Sequence, residues 1–137
     1  MSPLLKRDDL IYADLCYEIV GCAYDVYNSL GTGLKESTYQ KAMAISLRNK
    51  NRLIEEQIPF EIKYAGKSIG RRYFDFLIDE KIIVEIKKGG KYSKSYIDQV
   101  VEYLNISGLK LAILIDFGKE KVIFKRLVNL RTESELK

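Results

Sequence analysis

Histidine and tryptophan are both absent from this chain of 137 residues. Without histidine there is no Ser-His-Asp or Cys-His catalysis, no imidazole ligand for zinc and no imidazole proton shuttle. Acid–base chemistry must fall to carboxylates, Lys, Tyr or metal-bound water. Cysteine is nearly absent as well: Cys16 and Cys22 lie six apart in a helical pattern. That spacing suits neither a redox CxxC motif nor a zinc knuckle, so both are expected as reduced core residues of a cytoplasmic protein. No apolar run approaches the ~18 residues of a membrane span, and the N-terminus shows no signal-peptide apolar region, so no membrane partner is expected.

The composition is that of a globular domain, with 47% apolar and 31% charged residues. One domain over 1–137 is expected, with a core from about 8 to 127 and a polar, frayed tail over 129–137. The net charge of +4 is a mild pointer to an anionic partner. Tyrosine is abundant, and Tyr12, Tyr17, Tyr24 and Tyr27 give the first helix an aromatic surface suited to a homodimer.

Ile11, Leu15, Ile19, Cys22, Val26 and Leu30 step by three or four and predict a helix over 8–30, ended by Gly31-Thr32-Gly33. A second helix is expected over 35–50. The segment 53–64 carries Pro59 and reads as an edge strand, or as a strand interrupted there. Strands at 71–78 and 82–87 form a hairpin, and a third helix over 95–107 turns Ile97, Val100, Val101 and Leu104 to the core. Strands at 109–117 and 121–127 close the domain. The order α-α-β-β-β-α-β-β defines an α/β (α+β) fold, a mixed sheet flanked by helices.

Within the hairpin lies an anomaly. Phe74-Asp75-Phe76-Leu77-Ile78 and Ile82-Ile83-Val84-Glu85-Ile86-Lys87 are apolar runs that carry charge in their middle. Charge in a β core is costly unless paired or bound to a metal. A three-residue loop would set Ile78 opposite Ile82 and Asp75 opposite Glu85, with Lys87 on the same face; a two-residue loop would shift the pairing by one. Two opposed carboxylates repel; a divalent cation between them reverses that sign. Asp75, Glu85 and the Ile86 carbonyl are thus candidate ligands of Mg²⁺ or Mn²⁺, and Lys87 a group that orients the attacking water of a phosphodiesterase. A salt-bridged polar sheet face is the competing explanation.

Other candidates are weaker. Glu36 opens the second helix, where an acid favours the dipole or supplies an auxiliary carboxylate, directly or through water. Gln99 and Tyr103 lie one helical turn apart and can hold water, phosphate or a base. Lys88, Lys91, Tyr92 and Lys94 form a basic loop leaving the site strand, and Arg71 and Arg72 a basic turn; both suit phosphate contacts.

Together these pieces resemble the PD-(D/E)XK nuclease superfamily, in its order: Glu36 on a helix, Asp75, Glu85-Ile86-Lys87, then Gln99-x-x-x-Tyr103. More narrowly, Gly33, Glu36 and Tyr39 match the naming motif of the small prokaryotic GxxExxY family, and the closing Leu114-Ile115-Asp116-Phe117-Gly118 also fits. Phe74 stands where the superfamily's eponymous proline would be. The resemblance implies a restriction-endonuclease-like sheet flanked by helices. It further implies metal ligation by Asp75 and Glu85, water orientation by Lys87, an auxiliary Glu36, and site geometry from Gln99 and Tyr103. The function expected is a Mg²⁺-dependent nuclease acting on nucleic acid, DNA favoured over RNA. A catalytically silent nucleic-acid-binding or regulatory protein on the same scaffold is the alternative. A partner-binding domain with structural salt bridges is the third.

Overall fold

The computed structural model describes residues 11–89 and 92–129. Three helices, α1 (Ala13–Leu30), α2 (Glu36–Asn49) and α3 (Lys94–Ser107), flank five strands: β1 (Ile54–Tyr64), β2 (Lys67–Ile78), β3 (Ile82–Lys88), β4 (Leu111–Phe117) and β5 (Val122–Val128). The chain order is the expected one. The strands lie side by side in sequence order, with β3 and β4 parallel and every other pair antiparallel.

α1 and α2 cover one face of the sheet. Leu15, Cys16, Ile19, Cys22, Ala23 and Val26 recur at helical spacing and pack with Tyr39, Met43 and Leu47 against Ile82, Val84, Ile86, Ile113 and Ile115. α3 covers the other face with Tyr96, Val100 and Leu104 over Ile83, Ala112 and Leu114. β4 is buried along its whole length because helices cover it on both sides. β1 is the edge strand that Pro59 foretold. Both cysteines are free and buried.

Local signals explain the boundaries. Gly31, at φ 76°, ends α1 and donates its N–H to the Tyr27 carbonyl. Ser93 caps α3, its Oγ accepting from Tyr96 N at 3.0 Å, and left-handed Gly108 closes that helix. α1 begins at Ala13; the expected start near residue 8 lies outside the described residues. Two expectations need correction. Val101 is 37% exposed rather than core, since Val100 and Leu104 already fill the stripe under α3. The tail does not fray at Asn129: its N–H bonds to Lys110 O, and its side-chain amide to Leu104 O and Leu109 O. Residues 130–137 lie outside the described residues.

The aromatic surface expected on α1 is largely consumed inside the fold. Tyr24 packs against Phe124, and Tyr27 packs against Phe117 while its hydroxyl donates to Gly118 O at 2.9 Å. Tyr17 remains 44% exposed, which does not support a homodimer through an aromatic face.

Candidate active site

The site is made by a fault in the sheet. Along a regular strand, residues two apart share a face. Phe74 nevertheless packs under α3 while Phe76 and Ile78 pack under α1 and α2. β1 does the same: Ile54 belongs to the α1/α2 side, Ile58 and Phe60 to the α3 side. Both strands change face at one level, between the pairs Ile58↔Phe74 and Glu56↔Phe76. There Gln57 takes a left-handed φ of 57° opposite Asp75. The apolar run around Asp75 thus feeds two cores, and the residue at the crossover is aimed at neither.

The expected hairpin register holds: Ile78 pairs with Ile82, across Asp79 and Glu80 in left-handed conformation. The ladder stops at Phe76↔Val84, one step short of Asp75 and Glu85. There the strands part, and the carboxylates take over the main-chain bonding. Asp75 N donates to Glu85 Oε1 at 2.7 Å, and Ile86 N donates to Asp75 Oδ2 at 2.8 Å. The two acids therefore meet in an opening between strands rather than as a regular cross-strand pair. These two bonds stand in for the missing ladder pairs and leave the buried main-chain donors satisfied, which is how the sheet tolerates the break.

The opening is lined from both sides. On the α2 side, Gln40 Nε2 donates to Asp75 Oδ1 at 2.8 Å. On the α3 side, Arg72 Nη1 donates to Gln99 Oε1 at 2.8 Å, and Arg72 Nη2 reaches Glu85 Oε2 at 3.5 Å. A polar relay, Gln40–Asp75–Glu85–Arg72–Gln99, thus passes through the sheet from one helical layer to the other. Arg72 also lies 4.2 Å from the Tyr96 ring centroid, a cation–π contact. Lys87 Nζ lies 5.7 Å from the same ring and makes no ion pair among the described residues.

The electrostatics are unbalanced. Asp75 and Glu85 are 7% and 6% exposed. Burial, then the charge of Glu85, then that of nearby Glu36 push the Asp75 carboxyl up to about 8, while the Ile86 amide opposes the shift. Burial and the negative charge of Glu85 also hold the Tyr92 and Tyr96 phenols protonated. The Tyr96 hydroxyl is buried beside Glu85 without a well-formed hydrogen bond.

Glu36 opens α2, and its Oε1 accepts from Lys88 N at 3.2 Å, tying the helix N-terminus to the end of β3. Gly33 and Tyr39 support that placement. Gly33 has φ 86°, and Tyr39 is fully buried, stacked 4.4 Å from Phe117, with its hydroxyl on Gly31 O at 2.6 Å. The Gly33–Glu36–Tyr39 spacing therefore builds a turn, an acid and an anchor.

The remaining sequence candidates are scattered. Tyr103 is not at the opening: it packs with Phe60 and Phe74 at 5.7 and 5.1 Å, because that helix face meets the aromatic core. Tyr92 is half-buried with its hydroxyl on Ile115 O and Glu85 O, so its ring is a wall rather than a free stacking platform. Arg72 is half-buried in the site, whereas Arg71 is exposed and paired with Glu61. Lys94 is exposed and paired with Asp98 in the first turn of α3. Lys88 is exposed, its Nζ 3.5 Å from Gly33 O, and Lys91 lies outside the described residues. Sequence reasoning missed Gln40, although Glu36-x-x-x-Gln40 puts both on one helical face.

A mixed sheet opened at two buried acids, with helices on both faces, defines the nuclease-like fold class. A sequence model of the PD-(D/E)XK nuclease superfamily matches residues 13–127, and the chain belongs to that superfamily. No curated protein matches it. Among solved structures it is similar to the protein SSO0001, at 20% identity and a TM-score of 0.50 over 91% of this chain; it spans 63% of that protein's length. It is also similar to an alkaline exonuclease (LHK-Exo) from Laribacter hongkongensis, at 14% identity and a TM-score of 0.42, covering 83% of this chain and 82% of the other. Among the described residues no helix is long and apolar enough to cross a membrane.

Proposed function

We propose that the protein is a metal-dependent nuclease that hydrolyses phosphodiester bonds, with DNA favoured, and that it falls within the GxxExxY branch of its superfamily. The observation that carries this reading is the pair of buried carboxylates, Asp75 and Glu85, joined across a strand opening with Lys87 two residues further on.

The donor chemistry fits a hard divalent ion. The available ligands are oxygens; burial first, then the like charges of Glu85 and Glu36, push Asp75 up to about 8, and a cation would relieve the repulsion. Among the described residues no three acids or thiols are already gathered closely enough to hold a metal by themselves, so waters would complete the shell. Asp75, Glu85 and the Ile86 carbonyl would hold Mg²⁺ or Mn²⁺, with Glu36 acting through water. When bound, the ion supplies charge neutralisation at the scissile phosphate and a more acidic water.

The chain's own residues do the rest. Lys87, without an ion-pair partner among the described residues, orients the attacking water in line with the leaving oxygen. Gln40 keeps Asp75 Oδ1 aligned, and Gln99 holds Arg72 against Glu85. Arg71, Lys88, Lys91 and Lys94 contact flanking phosphates. The test is cleavage of plasmid and single-stranded DNA in Mg²⁺ or Mn²⁺ by wild type, Asp75→Ala and Lys87→Ala. Cutting by wild type alone is the expected result; equal activity in all three would sink the assignment.

A second reading has one observation in its favour. Every carboxylate oxygen of Asp75 and Glu85 already faces a donor, as in a site that holds its shape without turnover. Salt-dependent nucleic-acid binding with no metal-stimulated cleavage would select that alternative.

A further inference from the structure

One buried carboxylate takes no part in the relay. Asp116 lies on β4, directly beside Lys87 in the parallel β3–β4 register, as Leu114 lies beside Glu85. Neighbouring strands lie ~4.8 Å apart, so Asp116 is one strand removed from the site and on the same face. It is 8% exposed, and its Oδ1 is buried with no hydrogen-bond partner among the described residues. Buried acceptors are rarely left so, because the lost hydration is not replaced.

Asp116 opens into a cleft of about 460 Å³ between α3 and β5. The size is within the range of small-ligand sites. Leu114 forms its floor, Ile97 and Ile123 its apolar sides, and Lys125 its rim. Tyr92 closes the end towards Glu85, held there by its hydroxyl bonds to Ile115 O and Glu85 O. The cleft exists because α3 leaves part of β5 uncovered, with Ile123 49% exposed. The result is an apolar cleft, one buried carboxylate whose Oδ1 has no donor among the described residues, and a cation at the mouth.

We propose that this cleft is a base-reading subsite, which takes one splayed-out nucleobase of the bound strand and accepts a hydrogen bond from its amino group on Asp116. Apolar walls around few polar groups are how single-stranded bases are held, and a carboxylate accepts from the cytosine N4 amino group. Thymine has a carbonyl oxygen at the same ring position, which a carboxylate repels. Lys125 at the rim takes the adjoining phosphate. The subsite therefore selects a base with an exocyclic amino group beside the scissile bond. This inference rests on the nucleic-acid-directed reading of the site, but its test does not need turnover.

The probe is a pair of fluorescent eight-nucleotide single strands, oligocytidylate and oligothymidylate, titrated with protein in EDTA and followed by anisotropy. Wild type is expected to bind the cytosine strand about tenfold more tightly, the value of one charge-assisted hydrogen bond. Asp116→Asn, whose amide can meet either base, is expected to bring the ratio close to one while thymine-strand affinity stays within about twofold. Ile123→Trp, which fills the slot from its exposed side, is expected to erase the preference independently of Asp116. Equal affinities in wild type, or a preference that survives both substitutions, would overturn the subsite. Loss of Mn²⁺ binding in Asp116→Asn would also overturn it, by making Asp116 a metal ligand. Cleavage of mixed-sequence DNA by the same wild-type sample keeps the two ideas apart. Cutting without base preference removes the subsite alone; preference without cutting removes the nuclease reading alone.

Discussion

Two acidic clusters in this fold face opposite electrostatic situations. Near the β2–β3 turn, Arg52 is gripped by Glu18 at 2.9 and 2.8 Å and by Asp79 at 2.9 Å, and Asp79 also accepts from Leu53 N. Cation and anions are interleaved there. The Arg52 hydrogen bonds hold the Glu18 carboxyl below the usual carboxylate range. At the other end of the same hairpin, Asp75 and Glu85 share one arginine, which reaches Glu85 only at 3.5 Å. There burial and the neighbouring charge of Glu85 push the Asp75 carboxyl upward instead. The first cluster ties α1 to the hairpin and stabilises it. The second is a charge imbalance buried in a sheet, the feature on which the proposed metal site rests.

The comparison is broken most severely by removing the acids. Asp75→Ala and Glu85→Ala should abolish metal-stimulated cleavage, and Lys87→Ala should slow it by roughly 10²–10⁴-fold, the usual range for a group handling the reacting proton. Arg52→Ala should do the reverse: about 1–3 kcal/mol of stability lost, from charged partners left unpaired, with cleavage per folded molecule unchanged. Single-turnover assays alongside urea melts separate the two. If Arg52→Ala killed cleavage and Asp75→Ala only lowered stability, the roles would have to be exchanged.

pH sharpens it next. In its unfolded reference Asp75 titrates near 3.8, and in the fold near 8. A raised folded value means the proton favours folding. Its contribution is fully present below pH 3.8 and is lost as pH rises towards 8. In EDTA, stability should therefore fall across that window, on the order of a few kcal/mol, and Asp75→Asn should flatten the profile. Mn²⁺ should reverse the slope, because ion binding requires the deprotonated acid. Thermal melts from pH 5 to 9 with and without the ion read this directly; a flat metal-free profile in wild type would remove the imbalance.

Smaller effects lie at the ends of the relay. Gln40→Ala removes the hydrogen bond to Asp75 Oδ1 without touching a proposed ligand, and should weaken Mn²⁺ binding by about 10–100-fold. Calorimetry gives that number. Tyr103→Phe should change cleavage by less than about twofold, since the ring packs among Phe60 and Phe74 and phenylalanine conserves its volume. A large loss would return Tyr103 to the site.

Much of this was legible beforehand. Apolar spacing placed all eight elements in order, and Pro59 put β1 at an edge. The loop over 79–81 set Ile78 opposite Ile82 and so brought Asp75 level with Glu85. The face change at Gln57 and Asp75 was not legible. Phe74 and Phe76 look like one stripe in a string of letters, and only the two separate cores assign them to opposite sides. Gln40, and the contacts of Arg72 with Glu85 and Gln99, were hidden for a related reason. Polar side chains on a helix or strand carry no periodic signal, and the opening they line does not exist until the strands part. Tyr103 was misleading because an aromatic one turn from Gln99 is as well suited to a core as to a substrate.

By itself the amino-acid string determined which segments are helix and strand, which turn joins the hairpin, and that two acids and a lysine enter an apolar sheet. Those are local properties, set by spacing, turn residues and composition. Packing alone decided that the sheet opens where the acids meet, that Gln99 approaches from α3 and Gln40 from α2, and that Asp116 lines a cleft with no donor on its Oδ1 among the described residues. Each of these depends on segments far apart in the chain competing for the same buried space, which no local pattern records.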